Sequence, residues 1–471
     1  MSGRLFARVP SEQVAAQTPV DRDRVVDAAR AFSLIVVVAG HALMAVVAWK
    51  NGVPKIGNLL AAYPWTQAGT WVLQIMPLFY FAGGAANAIS WDKHVARGGK
   101  YPNWIWSRTQ RLLRPLWIYL IFAGFGAAFI SVLAPPRVAV PLMFLTTQLL
   151  WFLGSYILVT ALTPLFHSAS TSRGVLITVG LLLITSLVDV LRLLAGWPSA
   201  IGLVNFVLVW SLSAYLGSLR AHGILARCSK TFLFSVIVFN LTTNALLIRF
   251  GPWPLSLVGM PGEPITNMAP PSLVLAIHSV TLVALLTFFN ESLTRTLNRP
   301  TIWRRTTAVN LVAMTLYLWH LPVLTGLLAI SHGLGLDRPT RFGSNGYPVP
   351  EGWGYALGSL GFWAVFGVSI WTVVRFVWVF EYAHLPWWDS SPHSFAPDSS
   401  KASILVGIGV TGVGVALLML SGIGLGGFPT RVVHRLGIPL NAALAMAILL
   451  GSGALIRWAG ATRSDPFLPT S

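Results

Sequence analysis

The sequence predicts an all-α fold, a polytopic transmembrane helical bundle, on three observations. The chain of 471 residues is 55% hydrophobic and only 10% charged, with a mean hydropathy of +0.69, whereas soluble domains carry about 25% charged residues. Apolar runs long enough to cross a bilayer, about 20 residues each, recur along its length. The alternating pattern that would mark a transmembrane barrel is not seen in the sequence.

In chain order, residues 1–24 read as a short, mobile polar tail in the cytoplasm. Twelve spans follow, near 28–50, 68–90, 114–134, 141–165, 175–195, 201–219, 231–249, 272–290, 308–330, 355–382, 403–425 and 436–458. The first ten form a membrane core over 25–382. The stretch 383–402 is rich in Pro, Ser and Trp and reads as a cytoplasmic linker along the membrane surface. Residues 403–459 add two helices rich in Gly and small aliphatics, whose apolar spans carry no ionisable group apart from Arg457 at one end. They read as an accessory hairpin for packing or for contact with envelope-biosynthesis partners. Residues 460–471 form a cytoplasmic tail. No internal repeat is visible, which weighs against an inverted-repeat transporter. Two connections, 251–271 and 331–353, are longer than helix closure needs, and loops of this kind often bind something.

The net charge of +18 could suggest nucleic acid, but its distribution excludes that partner. The cations cluster in alternate loops: Lys93, Arg97, Lys100, Arg108, Arg111 and Arg114 in one, Arg295, Arg299, Arg304 and Arg305 in another. This is the positive-inside bias, and it places both termini in the cytoplasm of a multi-pass inner (plasma) membrane protein. Topology and anionic-lipid contact account for most of these charges. No cleavable signal peptide is expected, because the first apolar run is too long and no cleavage site follows it. The single Cys228 is expected in the cytoplasm and excludes an intrachain disulfide. No metal-ligand spacing stands out; His332, His384, His393 and His434 are scattered in loops.

The first span carries a polar stripe, Asp27, Arg30 and His41, in DAARAFSLIVVVAGH. Eleven residues at about 100° each make three turns plus roughly 20°, so Arg30 and His41 share a face, with Asp27 close to it. His41 lies roughly 16 Å beyond Arg30, near the midplane of a 28–50 span. Ionisable groups at that depth usually serve function, although a core histidine bonded across helices is the alternative. His320, in MTLYLWHLP, sits about a dozen residues into the ninth span, at the depth of His41. The pair could share a proton or a substrate. Tyr317, Trp319 and His320 as an interfacial aromatic belt is the competing reading, which the depth opposes. Pro322 suggests a kink that opens space.

Arg108, Arg111 and Arg114 in SRTQRLLRP step round a helix by about 60° each, a short spiral of guanidinium groups. Guanidinium binds phosphate bidentately, so the spiral could hold a nucleotide-bearing donor such as coenzyme A; a topology anchor is the alternative. In LLWFLGSY, 149–156, Trp151 and Tyr156 could line a channel, with core packing the main role of the stretch. Asp189 and Arg192 read as a structural ion pair. His278, Asn205, Asn240 and Asn244 are buried polar groups without an evident partner.

Together these segments resemble the acyltransferase 3 family of integral membrane acyltransferases. The likeness rests on Asp27, Arg30 and His41 in the first span, then PLFYFAGG from Pro77 to Gly84. Arg111 and Arg114 ahead of Pro115 follow, then Trp151 to Leu153, then Tyr317 to His320. The order is kept over 25–382, and PLFYFAGGAANA and MTLYLWHLP look like an actinobacterial, stand-alone branch. Two departures stand out. Gly154 and Ser155 occupy the place of a Glu often found after the Trp-Phe-Leu run, and two C-terminal helices are added.

The resemblance implies a ten-helix acyltransferase core and transfer of acyl groups other than aminoacyl groups, acetyl or another short chain, from cytoplasmic acyl-CoA. The acceptor would be a hydroxyl of an envelope glycan, a glycolipid or another membrane lipid, an O-acetylation of the cell envelope. His41, Arg30, His320, Asp27 and Tyr317 would serve catalysis: His41 as general base, His320 or Tyr317 steadying the oxyanion or acceptor. Arg108, Arg111, Arg114 and Trp151 would bind the donor. No cofactor is permanently bound and no metal is implied. The rival reading is a proton-coupled exporter of a lipid-linked or anionic solute, with the His41/Arg30 stripe as proton relay.

Overall fold

The computed structural model describes residues 11–19, 22–166, 171–260, 263–381, 383–389, 399–428, 431–435 and 438–461. Parts of the expected 1–24 and 460–471 tails, much of the linker, and His393 lie outside them. Twelve principal helices run through the described residues: α1 (Arg24–Met44), α2 (Met76–Val95), α3 (Tyr101–Leu133), α4 (Pro136–Ala161), α5 (Thr171–Leu193), α6 (Asn205–Ala221), α7 (Lys230–Phe250), α8 (Leu273–Phe288), α9 (Ala313–Gly333), α10 (Gly352–Glu381), α11 (Ser399–Ile423) and α12 (Ala442–Gly460). Eleven spans are long and apolar enough to cross a membrane, and α8 makes a twelfth with the helix Asn290–Leu297, bent 63° from it. The protein is an all-α, multi-pass helical bundle.

Local chemistry sets several helix starts. The Asp23 carboxylate accepts from the Val25 and Val26 amides at 3.1 and 3.2 Å and caps α1. Ser229 caps α7 through Phe232, Ser272 caps α8 through Leu275, and Asn441 caps α12 through Ala443. Each satisfies one or two of the amides a helix start leaves free.

In lipid, apolar side chains gain little by leaving the tails, so close approach of small residues holds helices together. The closest approach of backbone to backbone joins α2 to α6. A Cβ on Gly84 would sit 2.0 Å from the Ala214 carbonyl oxygen, and one on Gly217 would sit 2.0 Å from that of Phe81. Tyr80 stacks on Trp210 beside this crossing, with centroids 4.5 Å apart. The two C-terminal helices pack the same way. A Cβ on Gly154 of α4 would meet the Gly414 oxygen of α11 at 2.8 Å, and α12 lays Gly453 against Trp117 of α3. Gly154, at the place of the missing Glu, is therefore the seat of α11, and Ser155 beside it bonds the Tyr80 hydroxyl at 2.5 Å.

The first span differs from its expected 28–50 range. Helix α1 ends at Met44, and the chain turns into β1 (Ala45–Lys50), paired antiparallel with β2 (Val53–Asn58). Asn51 and Gly52 form the two-residue turn at φ 52° and 70°. Asn-Gly favours this turn, and the Val46–Val47–Ala48–Trp49 run suits a strand. A second hairpin, β3 (Thr340–Phe342) with β4 (Pro348–Pro350), lies against the first, where a Cβ on Gly57 would be 2.8 Å from the Pro348 oxygen. We call this end of the bundle the hairpin face, and the end where α1 starts the arginine face.

The tail expected to be mobile and the linker expected along the membrane surface both pack, in their described residues, against the bundle. Of the N-terminal tail, the helix Ser11–Ala16 lies along the helix Pro300–Leu311; Arg304 reaches Glu12 at 2.7 Å and the Trp303 indole donates to Thr18. The linker buries Trp388, whose indole N–H donates to the Gln110 carbonyl at 3.1 Å and whose ring meets Trp106 and Trp117. An indole with a hydrogen-bond partner is more stable inside such a cluster than at the surface.

Candidate active site

Helix α1 lies beside the run formed by Pro300–Leu311 and α9. Near the arginine face, Arg30 Nε donates to Asn310 Oδ1 at 2.9 Å, and Asn310 Nδ2 donates to the Asp27 carbonyl at 3.0 Å. These bonds fix the register of the two. About three turns further on, His320 Nε2 lies 3.3 Å from His41 Nδ1, with ring centroids 5.2 Å apart. The equal depth read from the sequence is realised as contact. Because α1 stops at Met44, His41 occupies its last turn, nearer the hairpin face than a 28–50 span implied.

The carbonyl partners assign the protons. His320 is wholly buried, and its Nδ1 lies 2.8 Å from the Tyr317 carbonyl and 3.2 Å from that of Leu316. Carbonyls only accept, so Nδ1 carries the hydrogen. In the neutral ring Nε2 then holds a lone pair and accepts from His41 Nδ1–H. That assigns the lone pair of His41 to Nε2, with the Val37 carbonyl one turn back as the ring's backbone partner on the N–H side. The dyad fixes the tautomer of His41, as a second partner commonly does for a functional imidazole.

The other expected site residues fall in different places. Asp27 holds Arg22 at 2.5 Å, and this hydrogen bond raises the Arg22 pKa above its ordinary value. Arg30 is committed to Asn310. The Tyr317 hydroxyl donates to the Leu149 carbonyl, where α4 breaks between Thr147 and Leu150. Its ring stands 6.3 Å from His320 and 5.1 Å from Phe152. Trp151 stacks on Trp210, centroids 5.9 Å apart, in the packing between α4 and α6.

The three arginines of α3 line one cavity of about 310 Å³, with Asn87 of α2, Tyr156 and Thr160 of α4, Met314 of α9 and Glu381 of α10. Pro115 at the cavity wall lacks an N–H and leaves the Arg111 carbonyl without its helical partner. Tyr156, Phe152, Tyr317 and His320 form a chain of rings, with centroids 5.9, 5.1 and 6.3 Å apart, from this cavity to the histidine dyad.

Four side chains not foreseen from sequence complete the picture. Asn310 sets the register described above. Arg338 clamps the end of α1: it donates to the Ala45 carbonyl at 3.0 Å and to Ser359 at 3.1 Å, between the rings of Tyr355 and Phe362. Burial lowers its pKa from the usual arginine value. A cation there meets the negative end of the helix dipole one turn from His41. Glu381 accepts from the Thr315 hydroxyl and, at 3.2 Å, from the Trp319 indole. Asp389 pairs with Arg114. A carboxylate ending an apolar span is itself a signal, and Glu381 could have been found that way.

The Asp189–Arg192 pair is structural: Asp189 also accepts from Asn205, Trp253 and the Leu273 amide, tying α5, α6 and α8 together. His278 sits edge-on to Trp71, and among the described residues Asn240 Nδ2 and the Asn244 side chain have no hydrogen-bond partner.

No curated protein and no solved structure matches the chain. A family model described as an acyltransferase domain matches residues 23–379. That range holds the histidine dyad and the arginine spiral, and it ends before Glu381 and Asp389.

Proposed function

The chain belongs to the acyltransferase 3 family and is a multi-pass membrane acyltransferase, and from that premise we propose that it moves a short acyl group, such as acetyl, from acyl-CoA to a hydroxyl of an envelope glycan or glycolipid. One observation carries the reading: the histidine dyad and the arginine cavity are joined by a continuous wall of rings within the family-matched residues.

In this reading the arginine face is cytoplasmic, as the positive-inside bias favours. The donor's phosphates lie on Arg108 and Arg111, and its thioester arm extends along Tyr156 and Phe152 toward the dyad. His41 Nε2 takes the proton of the acceptor hydroxyl as that oxygen attacks the thioester carbonyl. The tetrahedral intermediate collapses to the ester and expels the coenzyme A thiolate, which takes the proton back from His41. His320 holds the His41 ring in its tautomer and orientation. The Tyr317 hydroxyl, already donating to Leu149, steadies α4 against α9. The acceptor approaches from the hairpin face, where the 251–271 and 331–353 loops lie.

The test is thioester consumption by the purified protein in nanodiscs, supplied with radiolabelled acetyl-CoA and an envelope lipid and glycan extract. Label passing to an extract component, with release of free coenzyme A, supports the reading. Coenzyme A binding without label transfer contradicts it. Absence of both points instead to a proton-coupled exporter using the same stripe.

A further inference from the structure

Resting on the donor site just proposed, we infer that Asp389 is a counter-charge that competes with the donor's phosphates for Arg114 and so keeps coenzyme A from binding too tightly to be released. Asp389 lies beyond the family-matched residues, in the segment that leads from α10 to the C-terminal helices. Its side chain is 4% exposed and its carboxylate accepts from Arg114, from Gln110 Nε2 at 3.2 Å and from the Leu385 amide at 2.8 Å. Trp388 beside it is locked between Trp106 and Trp117, with α12 behind it at Gly453. The carboxylate is thus built into position against α3.

Among the described residues, Arg114 is the one of the three arginines held by a carboxylate; its Nη2 is engaged, and its buried Nε has no hydrogen-bond partner there. Arg108 lies over the Trp104 ring, 5.7 Å from its centroid, and Arg111 is exposed toward the cavity. The guanidinium fork suits two parallel bonds to one phosphate, and a carboxylate on Arg114 takes one prong of that fork. An anion entering the cavity therefore meets Arg108 and Arg111 with no carboxylate on them among the described residues, and Arg114 with its Nη2 taken by Asp389, while the other lining carboxylate, Glu381, is held by Thr315 and Trp319. Removing the Asp389 charge strengthens attraction for any anion there, and an amide in its place keeps the shape and an acceptor for Arg114. The product, coenzyme A, carries the same phosphates as the donor, so tight phosphate binding would slow its release. An Arg114 bound to Asp389 limits that retention.

The experiment measures coenzyme A binding to the full chain in nanodiscs, together with the donor KM and kcat. Asp389→Asn is expected to bind coenzyme A roughly three- to tenfold more tightly, with a lower KM and a kcat that is unchanged or reduced. Arg114→Gln should weaken coenzyme A binding less than Arg111→Gln does, and Asp389→Asn should bring no gain in the Arg114→Gln background. Arg111→Gln should weaken binding strongly in both. Equal or weaker binding by a monodisperse Asp389→Asn protein overturns the inference, as does a gain that survives in the double variant. If Asp389→Asn does not assemble, equal losses in Arg111→Gln and Arg114→Gln overturn it. A wild type that binds no coenzyme A, or binding indifferent to Arg111→Gln, overturns the donor-site reading and this inference with it.

Discussion

His320 Nε2 lies 3.3 Å from His41 Nδ1 across 279 residues of chain, and the backbone carbonyls behind His320 decide which nitrogen of His41 is free. A proton acceptor is set by a partner that need not touch substrate. This orienting role differs from a second catalytic base, and substitution separates the two.

His320→Ala should lower the transfer rate by roughly 10- to 100-fold with the donor KM little changed, because His41 keeps its base but loses its orienting acceptor. His320→Gln, whose amide oxygen can accept from His41 Nδ1–H, should recover part of the loss. Single-turnover transfer rates measure both; equal rates for the two variants would mean that His320 does more than accept that hydrogen.

Arg111→Ala should raise the donor KM by roughly 10- to 100-fold, the worth of a charge-assisted hydrogen bond, with a smaller effect on kcat. Initial rates against acyl-CoA concentration read this directly. A drop in kcat at unchanged KM would remove Arg111 from ground-state donor binding.

Arg338→Ala leaves the Ala45 carbonyl and the end of α1 without their cation. Loss of such a cap costs roughly 0.3–2 kcal/mol, and the last turn of α1 carries His41. The expected outcome is about a tenfold fall in kcat at unchanged donor KM, partly restored in Arg338→Lys. Steady-state kinetics with a fixed acceptor extract checks it.

Gly84→Val should block assembly of α2 with α6, since even a Cβ would meet backbone at 2.0 Å. Gly180→Ala, where nothing lies within 4 Å, is the matched control and should behave as wild type. Size-exclusion profiles in detergent distinguish them: aggregation is expected for the first and a single folded peak for the second.

Much of this was legible in the sequence, for physical reasons. Apolar runs declare membrane crossings because the bilayer demands about 20 residues from each; of the twelve expected, eleven stand as single spans among the described residues, and the bent pair Leu273–Phe288 and Asn290–Leu297 makes the twelfth. The 3.6-residue period put Arg30 and His41 on one face, and counting from the inner ends put His320 at the matching depth. The end of α1 was misread, because an apolar run alone does not separate helix from strand; Asn51–Gly52 was the signal that settles it. The partners of Arg30 and Arg114 were invisible because they are set by tertiary packing. Asn310 meets Arg30 from 280 residues away, and Asp389 meets Arg114 from 275. For Trp151 the motif allowed channel lining or core packing, and the α4–α6 crossing supplies the packing partner, with its ring stacked on Trp210. Gly154 read as a missing carboxylate; its second meaning, the seat of α11, required the position of Gly414.

The central claim is that His41 Nε2 takes the acceptor proton, and the direct measurement is label transfer from radiolabelled acetyl-CoA by wild type and His41→Ala, with coenzyme A binding measured on the same samples. Wild-type transfer with His41→Ala slower by roughly 100-fold or more, at unchanged coenzyme A affinity, is the predicted result. Transfer by His41→Ala at a rate near wild type, in protein that binds coenzyme A normally, would contradict it.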